Sequence, residues 1–148
     1  VSSFEGSDIN AHFLTAEEVE LSPLIAEAEE SLALPTDGIA DLEMFLSEAW
    51  FSGVQAGHSQ MLTRATQRQV PIGPVDMKPF EAEFQSLMER SAEALNLSIA
   101  RTILAWGLLG RAWIAGTRSY QAEIAARLLE RESDVAQEAS EWLGETES

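Results

Sequence analysis

The chain has 148 residues and a mass of 16.2 kDa, the size of one ordinary domain, with 45% hydrophobic and 23% charged residues, a balance that argues for one packed core and against a disordered chain or a multidomain enzyme. Nine Lys+Arg stand against 25 Asp+Glu, a formal charge of −16, so nucleic-acid backbones and anionic bilayers are repelled. Cysteine is absent, which excludes disulfides, thiol nucleophiles and thiolate zinc sites.

Residues 1–14 lack hydrophobic periodicity and read as a flexible lead-in. They carry neither the basic nor the apolar region of a secretory signal, which gives the expectation of a cytoplasmic protein. A helix is expected to start at Thr15, three residues before Glu18 in a capping-box pattern, or at Ser22-Pro23, where Ser22 is the cap and Pro23 the first helical residue. Pro35-Thr36-Asp37-Gly38 punctuates the chain, and Thr36 is the expected cap of a second helix. Its seam is Ile39, Leu42, Leu46, Ala49, Gly53 and Ala56, at alternating spacings of three and four.

The second helix should end near Gln69, because residues 70–78 are rich in Pro and Gly and each X-Pro step disfavours helix before it. A third helix from Pro79 is expected to turn Phe80, Phe84, Leu87, Met88 and Leu95 inward. A fourth should do the same with Ile99, Ile103, Trp106, Gly110, Trp113, Tyr120, Ile124 and Leu128. Whether Ala94 to Ile99 breaks the chain or continues the helix stays open. The apolar run Thr102 to Gly116 is short of 18 residues and contains Arg111 and three glycines, so it reads as a central buried helix and not a membrane span.

A shift of 63 positions lays Ala49-Trp50-Phe51-Ser52-Gly53 on Ala112-Trp113-Ile114-Ala115-Gly116, and Arg64 and Arg68 on Arg127 and Arg131. Upstream, Glu18, Glu20, Leu24 and Glu30 meet Glu81, Glu83, Leu87 and Glu93 without a gap. Coinciding leucines follow from helix periodicity alone; the Ala-Trp-x-x-Gly pair is more specific. The expected fold is therefore all-α: hairpin repeats 15–69 and 79–131, related by a pseudo-two-fold axis, packed as a four-helix bundle, with 132–148 as an acidic helix or tail. Gly53, Gly57, Gly110 and Gly116 would admit close helix crossings, with Trp50, Trp106 and Trp113 filling the core. The tail places Val135, Ala139, Trp142 and Leu143 at helical spacing. Docking of that face on the bundle, by a fold-back at Ser133, is favoured over capture of a partner through Trp142.

Residues 1–63 hold twelve acids and no Lys or Arg, all nine basic residues lie between Arg64 and Arg131, and residues 132–148 add six acids. Either these carboxylates form solvated faces or they dock a basic surface. Glu17, Glu18, Glu20, Glu27 and Glu30, with Trp142 in the tail, are the candidate partner-binding residues. Arg111 and Arg118 share a face on the fourth helix and can meet acids of the first two, within the chain or across a dimer. His12 and His58 stand without catalytic or ligand partners in sequence, and no serine is paired with a base.

Glu27 and Glu30 are three apart, and Asp37 and Asp41 four apart across the first turn, so an antiparallel hairpin could gather them around Mg²⁺. This pattern partially resembles the all-α nucleotide pyrophosphohydrolases, which implies a Mg²⁺-dependent nucleotide hydrolase. Gly38 stands where the second motif requires a carboxylate. The leading expectation is a non-enzymatic protein-interaction module, without a cofactor and homodimeric, that meets a basic protein surface and neither nucleic acid nor membrane. An inhibitor or immunity-type protein that covers a basic active or nucleic-acid site is the sharper alternative, and the hydrolase is the third.

Overall fold

The computed structural model describes residues 3–70 and 72–147, with side chains described for 13–70 and 72–144. Among these residues the fold is all-α, with α1 Ser3–Leu32, α2 Thr36–Thr66, a short 3-10 turn Lys78–Phe80, α3 Glu81–Leu95 and α4 Ile99–Glu147. Among the described residues no helix is long and apolar enough to cross a membrane.

Helix α1 starts at Ser3, upstream of both expected starts, and runs through Pro23. Residues 1–14 are thus not a separate lead-in over their described part. Phe13 is buried, stacked on Tyr120 at 6.1 Å and edge-on to Trp50 at 6.2 Å. The aromatic anchor, invisible to periodicity in a segment this short, extends the helix. The α1–α2 turn passes through Ala33 at φ 49°, and Pro35 is the residue before the first turn of α2; Thr36 is already helical and does not cap. Asn96, at φ 48°, closes α3 through its N–H to the Ala92 carbonyl. A short polar side chain tolerates that left-handed geometry better than most. Ser98 Oγ then accepts the Arg101 N–H at 3.4 Å, so the open stretch 94–99 is a break with its own cap.

The main packing is α2 against α4, with α1 resting mostly on α4 and α3 mostly on α2. Each shorter helix therefore leans on the long helix of the other half more than on its own sequence neighbour. Leu42, Leu46, Ala49 and Trp50 of α2 meet Ala105, Leu109 and Ala112 of α4 in the core, all nearly inaccessible. Full burial of each such leucine contributes about 1.5–3 kcal/mol.

The α2–α4 crossing is reciprocal. A Cβ on Gly53 would stand 2.9 Å from the Trp113 carbonyl carbon and 3.1 Å from the Thr117 nitrogen; one on Gly116 would stand 2.9 Å and 3.1 Å from the same atoms of Trp50 and Val54. A Cβ on Gly57 would stand 3.1 Å from the Tyr120 ring, whereas one on Gly110 would meet nothing within 4 Å, so three of the four expected crossing glycines lie in contacts and Gly110 does not. Two ion pairs clamp the outer helices. Arg111 on α4 reaches Glu27 on α1 at 2.6 Å, and Arg90 on α3 grips Glu48 on α2 through both oxygens at 2.6 and 3.2 Å. The partners sit at matched positions in the two halves with their charges exchanged.

Two expectations for α4 fail. Ile99, Ile103 and Leu128 are 83%, 59% and 48% exposed, and Leu108, Leu109 and Ala112 face the core instead. The segment around them is apolar on all sides, so its spacing cannot choose a face. The tail also does not fold back at Ser133: α4 continues unbroken, with Val135, Trp142 and Leu143 each more than half exposed. Nothing in Glu132-Ser133-Asp134 interrupts helix, because no Gly or Pro stands there.

Candidate functional site

Leu14, Glu17, Glu18, Leu21 and Ile25 recur every three or four residues and so share one face of α1. With Ser22 and with Glu43 from α2 they line a groove of about 630 Å³. Its apolar side is Leu14, Leu21 and Ile25; its polar side is three carboxylates. Leu14, Val19 and Met44 nearby are more than half exposed. Among the described residues Glu17, Glu18 and Glu43 make no ion pair, since residues 1–63 supply no cation and the arginines that return from α3 and α4 go to Glu48 and Glu27. An open, apolar-floored groove with unneutralised acids accommodates a side chain or segment that is both apolar and cationic.

The candidate residues separate into four roles. Glu17 and Glu18 lie in the groove. Glu20 is half-buried and accepts the Trp50 indole N–H at 2.7 Å, and Glu27 is held by Arg111, so both serve the fold. Glu30 is exposed near the end of α1, and Trp142 lies far along α4. The carboxylates Glu27, Glu30, Asp37 and Asp41 do not gather: among the described residues no three acids or histidines are placed to hold a metal ion. The hairpin turn separates them, and Arg111 draws Glu27 toward α4.

Glu43 was missed by sequence reasoning, because it lies off the α2 seam and only the packing of α1 across α2 adds it to Glu17 and Glu18. His58 was read as unpartnered. Its Nδ1 lies 2.7 Å from the Tyr120 hydroxyl, which is also 3.6 Å from Met61 Sδ, because Gly57 lets the tyrosine ring close on α2. His12 lies outside the described side chains.

A second cavity, about 440 Å³, is lined by Met77, Glu81, Phe84, Gln85, Met88, Glu89 and Trp106. Five of its residues stand 63 positions after groove residues: Met77 after Leu14, Glu81 after Glu18, Phe84 after Leu21, Gln85 after Ser22 and Met88 after Ile25. Trp106 takes the place of Glu43, its indole N–H donating to the Met88 carbonyl at 3.0 Å. Both cavities thus carry carboxylates, three in the first and Glu81 and Glu89 in the second, and the second adds the aromatic rings of Phe84 and Trp106. No family model, curated protein or solved structure matches this chain.

Proposed function

We propose that this chain is a non-enzymatic helical protein-interaction module, homodimeric, whose α1–α2 groove receives a basic amphipathic segment of a partner protein. The observation that carries the reading is the groove itself: Leu14, Leu21 and Ile25 beside Glu17, Glu18 and Glu43, in a stretch of 63 residues with twelve acids and no base. The carboxylates raise the encounter rate with a cationic partner and reject anionic ones, while the apolar floor supplies the holding energy. A cytoplasmic setting belongs to the same proposal. We further take the two halves as a duplicated helical hairpin packed as a four-helix bundle, a reading supported by the reciprocal glycine crossing, the exchanged ion pairs and the paired cavities. After duplication the two cavities came to differ at one matched position, Glu43 in the first and Trp106 in the second.

The test is site-specific photo-cross-linking from position 43 or 14 in the native host, with the captured protein identified by mass spectrometry. Capture of a protein through a Lys- or Arg-rich segment, lost in Glu17→Lys and Glu43→Lys, supports the groove. Capture that is indifferent to both charge reversals overturns it. If the captured protein is an enzyme or a nucleic-acid binder and this chain inhibits it, the narrower inhibitor reading follows from the same experiment.

A further inference from the structure

We infer that the outer face of α4 binds α4 of a second copy, with the two helices antiparallel. This rests on the reading of the chain as a homodimeric interaction module and assigns the surface on which the dimer forms.

The first observation is a stripe. Ile114, Gln121, Leu128, Val135 and Trp142 follow one another at intervals of seven along a single unbroken helix of 49 residues. A strict seven-residue repeat keeps one face toward a second helix, whereas packing onto a globular core follows 3.6. Four of the five positions are large apolar side chains between 44% and 66% exposed. Toward the N-terminus the same face continues through Gly110, Gly107 and Ile103, where a Cβ on either glycine would meet nothing within 4 Å and Ile103 is 59% exposed. The face therefore offers bulk at its C-terminal end and a gap near its N-terminal end.

The second observation is charge, and it selects both the occupant and the direction. Between Ile99 and Arg131, α4 carries five arginines and two glutamates; from Glu132 to Glu147 it carries six acids and no base. A parallel pair would lay one acidic segment on the other. An antiparallel pair instead lays each acidic segment on the acid-free stretch of the other copy around Arg111, with Arg118 at its edge, so the helix is complementary to itself. A register that sets Trp142 over the Gly107–Gly110 gap brings Val135 beside Ile114 and Leu128 beside Gln121, whose amide the Gly73 carbonyl holds at 2.6 Å at the edge of the face. The same register sets Arg118 within a turn of Glu132 and Asp134, and Arg111, which Glu27 already holds at 2.6 Å within the chain, within a turn of Glu138. Bulk meets gap in this alignment, and the acids that flank Arg131 offset its position opposite Arg118 of the other copy.

The absence of native cysteine makes the test direct. Protomers carrying Ile114→Cys and Val135→Cys are mixed and treated with a short bismaleimide, and the full-length protein is followed by sedimentation equilibrium. The expected result is a covalent 114–135 link between copies; 114–114 and 135–135 links should be absent, because antiparallel pairing holds those positions about 30 Å apart at 1.5 Å per residue. Trp142→Ala should weaken the dimer at least about tenfold, with helical content unchanged in circular dichroism, since Trp142 lies beyond the core. Val135→Asp should do the same. Like-to-like links would overturn the proposal, as would a chain that stays monomeric up to about 100 µM, a concentration that would leave little binding energy for such a face. Glu43→Lys in the groove should leave the dimer intact. Failure of self-association with groove capture preserved refutes the α4 pairing alone, and the converse refutes the groove.

Discussion

Gly53 presents its Cα to the main-chain carbonyl of Trp113, and Gly116 presents its own to the carbonyl of Trp50. At this crossing two backbones meet with no side chain between them. A methyl at either glycine overlaps backbone and not the end of a flexible side chain, so a helix has to move. Gly53→Ala and Gly116→Ala should each cost on the order of 1–3 kcal/mol. Gly110→Ala meets open space and should instead gain about 0.5–1 kcal/mol from helix propensity, at chain concentrations that keep the protein monomeric. Denaturant melts of the three variants check the order; equal stabilities at 53, 110 and 116 would refute the crossing.

The two matched tryptophans differ at their indole nitrogens. Trp50 donates to Glu20 at 2.7 Å, while Trp113 Nε1 is buried without a hydrogen-bond partner among the described residues. Glu83, at the position equivalent to Glu20, accepts from Ser52 Oγ at 3.3 Å instead. Trp50→Phe removes a made bond and strips a half-buried carboxylate of its donor. Trp113→Phe removes an N–H that is already unsatisfied, and the loss of ring volume is the same. Trp50→Phe should therefore destabilise by about 1 kcal/mol more than Trp113→Phe in urea titrations. The reverse order would mean that the Trp113 nitrogen has a partner in solution.

The helices and the α2 seam were legible because Leu42, Leu46, Ala49, Gly53 and Ala56 obey a single period and are buried on it. The Trp-Gly crossing was legible for a different reason: the same spaced pair occurs twice. The face of α4 was not legible. Ile103, Leu108, Ile114 and Leu109 are equally apolar, and only the positions of α2 and α1 decide which of them stay outside. Two of the three carboxylates of the acidic site were readable, Glu17 and Glu18. Glu20 and Glu27 carry the same charge in the same helix, yet Trp50 and Arg111 claim them, and such distant partners leave no local mark in the chain.

Glu27 and Arg111 are each about half exposed, as are Glu48 and Arg90. Hydrogen bonding to Glu48 raises the Arg90 pKa above its ordinary value, so the guanidinium keeps its charge. Exposed pairs of this kind contribute little stability, roughly 0.2–1 kcal/mol for Glu27–Arg111, and less in high salt. Since the other half makes the equivalent pair with the charges exchanged, the double variant Glu27→Arg, Arg111→Glu should recover most of what either single variant loses. A double-mutant cycle at low and high salt measures this. No coupling at low salt would show that the clamp is absent in solution.

Tyr120 is the sole tyrosine, beside one lysine and no cysteine, so the chain has few groups that titrate near pH 10. Burial raises the Tyr120 pKa above its usual value, because the phenolate loses water at the α2–α4 crossing where Phe13 stacks on the ring. The protonated phenol is thus favoured more in the folded chain than in the unfolded one. Its contribution to stability is fully present below the unfolded pKa of about 10 and is lost as pH rises through the higher folded value. Phenolate absorbance near 295 nm should accordingly develop at higher pH in the native protein than in denaturant. Denaturant midpoints should begin to fall above about pH 10, and Tyr120→Phe should remove that alkaline fall while losing the contact with His58. A native phenolate midpoint equal to that of the unfolded chain would place the hydroxyl in water and remove it from the crossing.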